Sequence, residues 1–147
     1  MTGVQTCALP ILIELEKSVV EGGGAAPLAA FLAGKLDNLK GKQVVLTLCG
    51  GNIDLTMLGR IIEVGLVADG RVSRFTVSIS DRPGGLARLA ELIASTGASI
   101  KEIVHDRAFS GPDLSAVRVI CVVETTGHAH VRELHAALAA AGMPVDG

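Results

Sequence analysis

The sequence predicts an α/β segment followed by a small α+β domain built on an antiparallel sheet. Three observations predict it. Val44–Leu48 is apolar apart from Thr47 and ends at Cys49-Gly50-Gly51-Asn52, as a strand buried on both faces ends in a glycine turn. After Asp69-Gly70, Phe75, Val77 and Ile79 alternate with Arg74, Thr76 and Ser78, the two-residue period of a half-buried strand. From there strand and helix periods succeed one another in the order strand, helix, strand, strand, helix, strand.

The chain has 147 residues, enough for one domain or for a small domain and a piece of another. Hydrophobic residues make up 49%, which supports a sizeable core. The net charge is −2, with no Trp or Tyr and no basic block, and this argues against a nucleic-acid partner. Cys7, Cys49 and Cys121 show no paired spacing, so neither a disulfide framework nor a zinc site is indicated, and a reducing cytoplasm fits. No apolar run reaches membrane-spanning length. The stretch Cys7–Ile13 lacks the basic start and the small-residue cleavage signal of a secretory leader.

Met1–Ile11 has no helical or strand period and reads like the translation of a sequencing-adapter oligonucleotide; it is set aside from fold reasoning as non-native. Residues 12–70 form the first domain segment. Leu12–Val20 closes one element, and Glu21-Gly22-Gly23-Gly24-Ala25-Ala26 leads into a helix reaching about Leu36. Pro27 suits its first turn, and Leu28, Phe31 and Leu32 form its apolar stripe. The triple glycine ahead of a helix reads as a flexible turn or, less specifically, as an anion cradle. After the central strand and its glycine turn, Asp54 caps a helix over Leu55–Gly65 whose apolar side holds Leu55, Leu58, Ile61 and Ile62. Ligands of open α/β sheets sit at such strand ends, although a tight turn with no ligand explains the same residues.

Residues 71–147 form the second domain. Asp81-Arg82-Pro83-Gly84-Gly85 breaks its first strand, and Leu86, Leu89, Ala90 and Ile93 carry the helix that Gly97 stops. A strand over about Ser99–Arg107 and another over about Ala116–Glu124 are joined by a turn-rich loop. A helix with Val131, Leu134 and Leu138 ends at Gly142, and Met143–Val145 starts a short last strand. This βαββαβ order is ferredoxin-like, with both helices on one face of the sheet.

LCGGNID with its following helix resembles the last glycine motif in the catalytic domain of threonine ammonia-lyases (threonine dehydratases), pyridoxal-phosphate enzymes of fold type II. VVEGGGAAPLAAFL resembles the VEGAGA-type segment of the same lyases. SDRPGGL at the first turn of the second domain is similar to an ACT domain, the amino-acid-sensing module of biosynthetic enzymes, and HDRAFS resembles the form found behind these lyases. The order of the motifs is more specific than any one of them.

The resemblance implies an α/β remnant of the catalytic domain followed by an ACT domain. It implies pyridoxal 5'-phosphate as cofactor, with Cys49 beside the pyridine nitrogen, Gly50 among the cofactor-binding residues, and Glu21 either near the ring or a helix-entry carboxylate facing solvent. An Asp at that place would make the ring a strong electron sink, whereas a neutral Ser or Cys leaves it weaker, which suits β-elimination of a hydroxyl. The implied reaction converts L-threonine to 2-oxobutanoate and ammonia, in isoleucine biosynthesis or threonine catabolism. The Schiff-base lysine and the phosphate loop have no match here: Lys17, Lys35, Lys40, Lys42 and Lys101 lie in no corresponding motif. The chain by itself is therefore expected to be an inactive C-terminal fragment.

An amino-acid effector is expected at Asp81, Pro83, Gly84, Gly85 and Leu86. There a helix N-terminus suits a carboxylate, the glycines allow close approach, and Asp81 can receive an ammonium. The turn could equally be a rigid element of a module that only dimerises. Homo-oligomers are expected from the uncovered sheet face and edge. His105, Asp106 and Arg107 cluster at a strand end as a surface ion pair, with an effector contact as the minority reading. His128, His130 and His135 lack ligand spacing and are expected on solvent-exposed helix positions, so no metal site is expected. The alternative function is a stand-alone amino-acid-binding module. A nucleotide-binding reading of GGGAAP lacks the fuller glycine pattern and the Lys-Ser/Thr that should follow.

Overall fold

The computed structural model describes residues 8–107 and 115–146 and divides into two compact units, 1–68 and 69–147. The division falls two residues before the boundary read from the sequence. Residues 1–7 lie outside the description, as does most of the loop between the second and third strands.

In the first unit, residues 8–11 are helical and run into a π-helical turn, Leu12–Glu16. Ala8 and Leu9 are fully buried with Leu12, Val20, Ala25, Ala29 and Ile61. The exclusion of Met1–Ile11 from fold reasoning therefore extends no further than residue 7: Ala8, Leu9 and Leu12 are apolar on one helical side and complete this core. Helix α1, Ala26–Leu32, has Pro27 in its first turn as expected. It is shorter than predicted, and its buried residue is Ala29, while Phe31 and Leu32 are exposed. Helix α2, Leu55–Ala68, starts where Asp54 Oδ1 accepts the Met57 N–H at 3.0 Å.

The strand expected over Val44–Leu48 does not form. These residues have no regular structure, and Val44, Val45 and Leu48 are 41, 91 and 38% exposed. The reason is physical: a buried strand needs backbone partners on both sides, and no described residue of this unit is in a sheet.

The second unit carries the βαββαβ order in full: β1 Val72–Ser80, α3 Gly85–Ser95, β2 Ser99–Asp106, β3 Ala116–Glu124, α4 His128–Ala140 and β4 Val145–Asp146. The sheet is antiparallel at each pairing, with strand order β2-β3-β1-β4. Phe75 pairs with Cys121, Val77 with Val119 and Ile79 with Val117, so one face of two strands is continuously apolar. These side chains are buried with Leu89 and Ile93 of α3 and Leu134 and Leu138 of α4. β1 and β2 both run antiparallel to β3 and so parallel to each other. Their ends therefore meet at the same end of the sheet, which places the turns that follow them side by side.

Candidate functional site

In the first unit the structure joins the two motifs that sequence reading kept apart. The Glu21 N–H donates to the Gly50 carbonyl at 2.6 Å. A Cβ on Gly24 would lie 1.6 Å from the Cys49 carbonyl oxygen, and one on Gly50, at φ +77°, would lie 2.6 Å from Glu21 Oε1. Glycine at 24 is what lets the two backbones touch, and glycine at 50 leaves room for the Glu21 side chain in a left-handed turn. The triple glycine serves this approach rather than an anion cradle. The Ala25 and Ala26 N–H groups at the start of α1 are already taken by the Glu21 and Gly23 carbonyls, at 3.1 and 3.2 Å. Cys49 is exposed. The expectation of a cysteine delivered by a buried strand is thus corrected for this chain: there is no sheet around Val44–Leu48, and Cys49 is exposed while Glu21 is half-buried.

The second unit holds a cleft of about 280 Å³ lined by Ile79, Asp81, Pro83, Leu86, His105 and Arg107, among others. Gly84 caps α3 at φ +93°, a backbone region that glycine enters without cost, and no side chain caps this helix. A Cβ on Gly85 would lie 2.3 Å from the Ser80 carbonyl oxygen, so α3 starts hard against the end of β1. The Gly85 N–H turns back to the Arg82 carbonyl at 3.1 Å and closes the turn.

Asp81, expected as an open acceptor for an ammonium, is engaged. Arg107 Nε donates to both carboxylate oxygens, at 3.1 and 2.9 Å, and Nη2 donates to Oδ1 at 3.0 Å. His105 Nε2 stands 3.8 Å from Oδ1. The Arg107 hydrogen bonds hold the Asp81 carboxyl below its ordinary range; burial opposes them next, and the charges of Arg107 and then His105 add to the lowering. The same bonds raise the Arg107 guanidinium. Sequence reading placed His105 and Arg107 at a strand end but did not join them to Asp81. The signal was available: DRPGG follows the first strand and HDR closes the second, and parallel strands flanking a common neighbour bring those ends together.

The histidine expectation is corrected at two positions. His130 is 9% exposed. Its Nδ1 accepts the Thr126 N–H at 3.2 Å, and its Nε2 lies 2.8 Å from the Thr96 carbonyl, tying the start of α4 to the end of α3. His135 is half-buried, stacked edge-on to Phe75 with centroids 5.4 Å apart, and burial lowers its imidazole. Among the described residues no cluster of His, Cys, Asp or Glu could hold a metal ion, and no helix is long and apolar enough to cross a membrane.

No protein-family model matches the chain. The L-threonine ammonia-lyase of Geobacter sulfurreducens is 42% identical over 139 residues, covering 95% of this chain and 34% of that protein. The L-threonine ammonia-lyase of Thermotoga maritima is 38% identical over 138 residues, 94% of this chain and 34% of its own length. A catabolic L-threonine dehydratase of Staphylococcus aureus is 48% identical over 65 residues, 42% of this chain and 19% of that protein. Among solved structures, a homoserine dehydrogenase from Thiobacillus denitrificans covers 84% of this chain and 25% of its own, with TM-score 0.37 and 17% identity, too weak a likeness to bear on the fold. The chain is thus a relative of the L-threonine ammonia-lyases along nearly all its length, and it spans about a third of the length of those two.

Proposed function

We propose that this chain is the C-terminal part of a threonine ammonia-lyase that converts L-threonine to 2-oxobutanoate and ammonia. Unit 1 is then the end of a pyridoxal-phosphate catalytic domain, and unit 2 a ferredoxin-like ACT domain that adjusts activity to isoleucine or a related amino acid. The observation that carries the reading is the docking of the Glu21 segment on the Cys49 turn through Gly24 and Gly50. An amino-acid sensor has no use for such a joint, whereas a catalytic wall that presents two side chains together does.

The residues present fit the cofactor as one side of its pocket. A cysteine and a carboxylate sit on adjoining segments, with the cysteine exposed. When bound, pyridoxal phosphate supplies the electron-withdrawing ring that makes the amino acid's α-carbon acidic. Cys49 and Gly50 would lie at the pyridine nitrogen and Glu21 near the ring, orienting it. On this reading the lysine and the phosphate loop lie in a part of the whole protein that this chain does not span.

Exposed apolar side chains support the same reading. Of the thirteen large hydrophobic residues exposed among the described residues, eleven lie in unit 1, Val45 and Leu55 at 91 and 81% among them. Such a surface is of the kind that further protein covers. Unit 2 buries a core of its own, which favours the second reading, a free-standing amino-acid-binding module. A cytoplasmic homo-oligomer, pairing through the outer strands β2 or β4, completes the proposal.

The genomic frame upstream of the Ala8 codon is the test. The proposal expects it to continue with a lysine motif and a glycine-rich phosphate loop, and expects the protein so encoded to release 2-oxobutanoate from L-threonine while the present chain releases none. A stop codon directly upstream, or 2-oxobutanoate from the present chain, would contradict it.

A further inference from the structure

We propose that the cleft of unit 2 takes an α-amino acid by exchange of ion pairs: the ligand's carboxylate takes Arg107, its ammonium takes Asp81, and the Asp81–Arg107 pair opens as it enters. The inference rests on reading unit 2 as an amino-acid-binding domain and adds the residue and the step by which it recognises both charged groups.

As it stands, the pair offers little net attraction to either charge alone. Three charge-assisted bonds occupy both Asp81 oxygens and the Nε and Nη2 donors of Arg107. A lone ammonium meets a carboxylate whose charge Arg107 already offsets, and a lone carboxylate meets a guanidinium whose charge Asp81 already offsets. A zwitterion brings both charges and replaces one internal pair by two. Opening is cheap because the pair is open to water: the Asp81 and Arg107 side chains are 27 and 68% exposed. Ion pairs this wet contribute little, unlike buried ones. Arg82 also lines the cleft, so its formal balance is one carboxylate to two guanidiniums, which favours the ligand's carboxylate. Ile79, Pro83 and Leu86 supply an apolar wall for an aliphatic side chain, and about 280 Å³ is room for an amino acid of that kind.

The competing account is a fixed staple that ties the ends of β1 and β2 together and never opens. Calorimetric titration of the whole chain separates the two. The ligands are L-isoleucine, 3-methylpentanoate, which lacks the ammonium, and 2-methylbutylamine, which lacks the carboxylate. In the wild type, isoleucine binds about ten-fold or more tightly than either analogue, as expected for losing one charge-assisted contact. Arg107→Gln weakens isoleucine by a similar factor yet strengthens 2-methylbutylamine about two- to five-fold, because Asp81 is then free. Asp81→Asn does the reverse, strengthening 3-methylpentanoate.

An Arg107→Gln protein with native circular dichroism that binds isoleucine unchanged, or that loses the amine together with the amino acid, overturns the exchange. Should the variants fail to fold, the wild-type Arg107 Nε–H resonance decides: it shifts on saturation with isoleucine if the pair opens, and a resonance that stays in place overturns the proposal. No heat with isoleucine, valine, serine or threonine in the wild type overturns the amino-acid reading itself. Binding in the wild type with unaltered variants sinks the exchange alone.

Discussion

Gly85→Ala tests the geometry on which the cleft is built. The added Cβ would sit 2.3 Å from the Ser80 carbonyl oxygen, about 1 Å short of ordinary contact, with Ile79 Cδ1 at 3.8 Å on its far side. The atom it meets is backbone at the end of β1, paired through Ser80 to Ala116, so no flexible side chain can give way. Either α3 starts about 1 Å further from the sheet or β1 frays, and overpacking of this kind costs about 1–3 kcal/mol. For a unit of this size each kcal/mol lowers Tm by about 4–8 °C, so the transition of unit 2 falls by about 4–24 °C in a calorimetric or circular-dichroism melt. Gly84→Ala is the control. Nothing lies within 4 Å of its added Cβ, and its cost, about 1–2 kcal/mol, comes from φ +93° alone. Asn, which tolerates that region, recovers part of the loss at position 84 and none at 85. A Gly85→Ala melt within about 1 °C of the wild type, or recovery by Asn at 85, would refute this account of the turn.

Further predictions concern protons. Because Arg107 holds the folded Asp81 carboxyl below 3.8, the pair's contribution is complete above that pH and is lost as pH falls through the lower folded value. A carboxyl carbon-13 titration should therefore place the Asp81 midpoint below 3.8 in the wild type and closer to it in Arg107→Gln; equal midpoints contradict the pairing. Burial lowers the His135 imidazole from 6.5, and its Nε2 is buried without a partner among the described residues, so the fold loses stability as pH falls from 6.5 through the lower folded value. His135→Leu should flatten that slope in melts recorded across the range, and an unchanged slope assigns the loss elsewhere. Cys121, buried on β3, is pushed up to about 11 from 9.0; its contribution is complete below pH 9 and is lost as pH rises toward 11. Cys121→Val should remove that alkaline loss without disturbing the core, and equal alkaline melts would contradict it.

How much was legible followed from how local the governing contacts are. In unit 2 each strand and helix closes its apolar face against neighbours within the same 79 residues, so Phe75, Val77 and Ile79 read as inward and are inward. Val44–Leu48 carries the pattern of a buried strand without the partners that would make it one. On the proposed function its setting is larger than the chain, as it is for Phe31 and Leu32, read as a stripe and found exposed. The turn at Asp81–Leu86 was legible because glycine and proline act on their own backbone. The Arg107 partner of Asp81 was not, because it depends on β1 and β2 flanking β3. His130 escaped for the same reason: nothing near it in sequence announces the Thr96 carbonyl that it meets across two helices.

The most direct test of the central claim is the alkylation rate of Cys49 by iodoacetamide, followed by peptide mass, in the protein encoded by the extended frame, with and without pyridoxal phosphate. If Cys49 lies against the cofactor ring, loading should slow its alkylation about ten-fold or more, whereas in the present chain the exposed thiol should react at one rate whether or not cofactor is added. Equal rates in the loaded and unloaded extended protein would contradict the account.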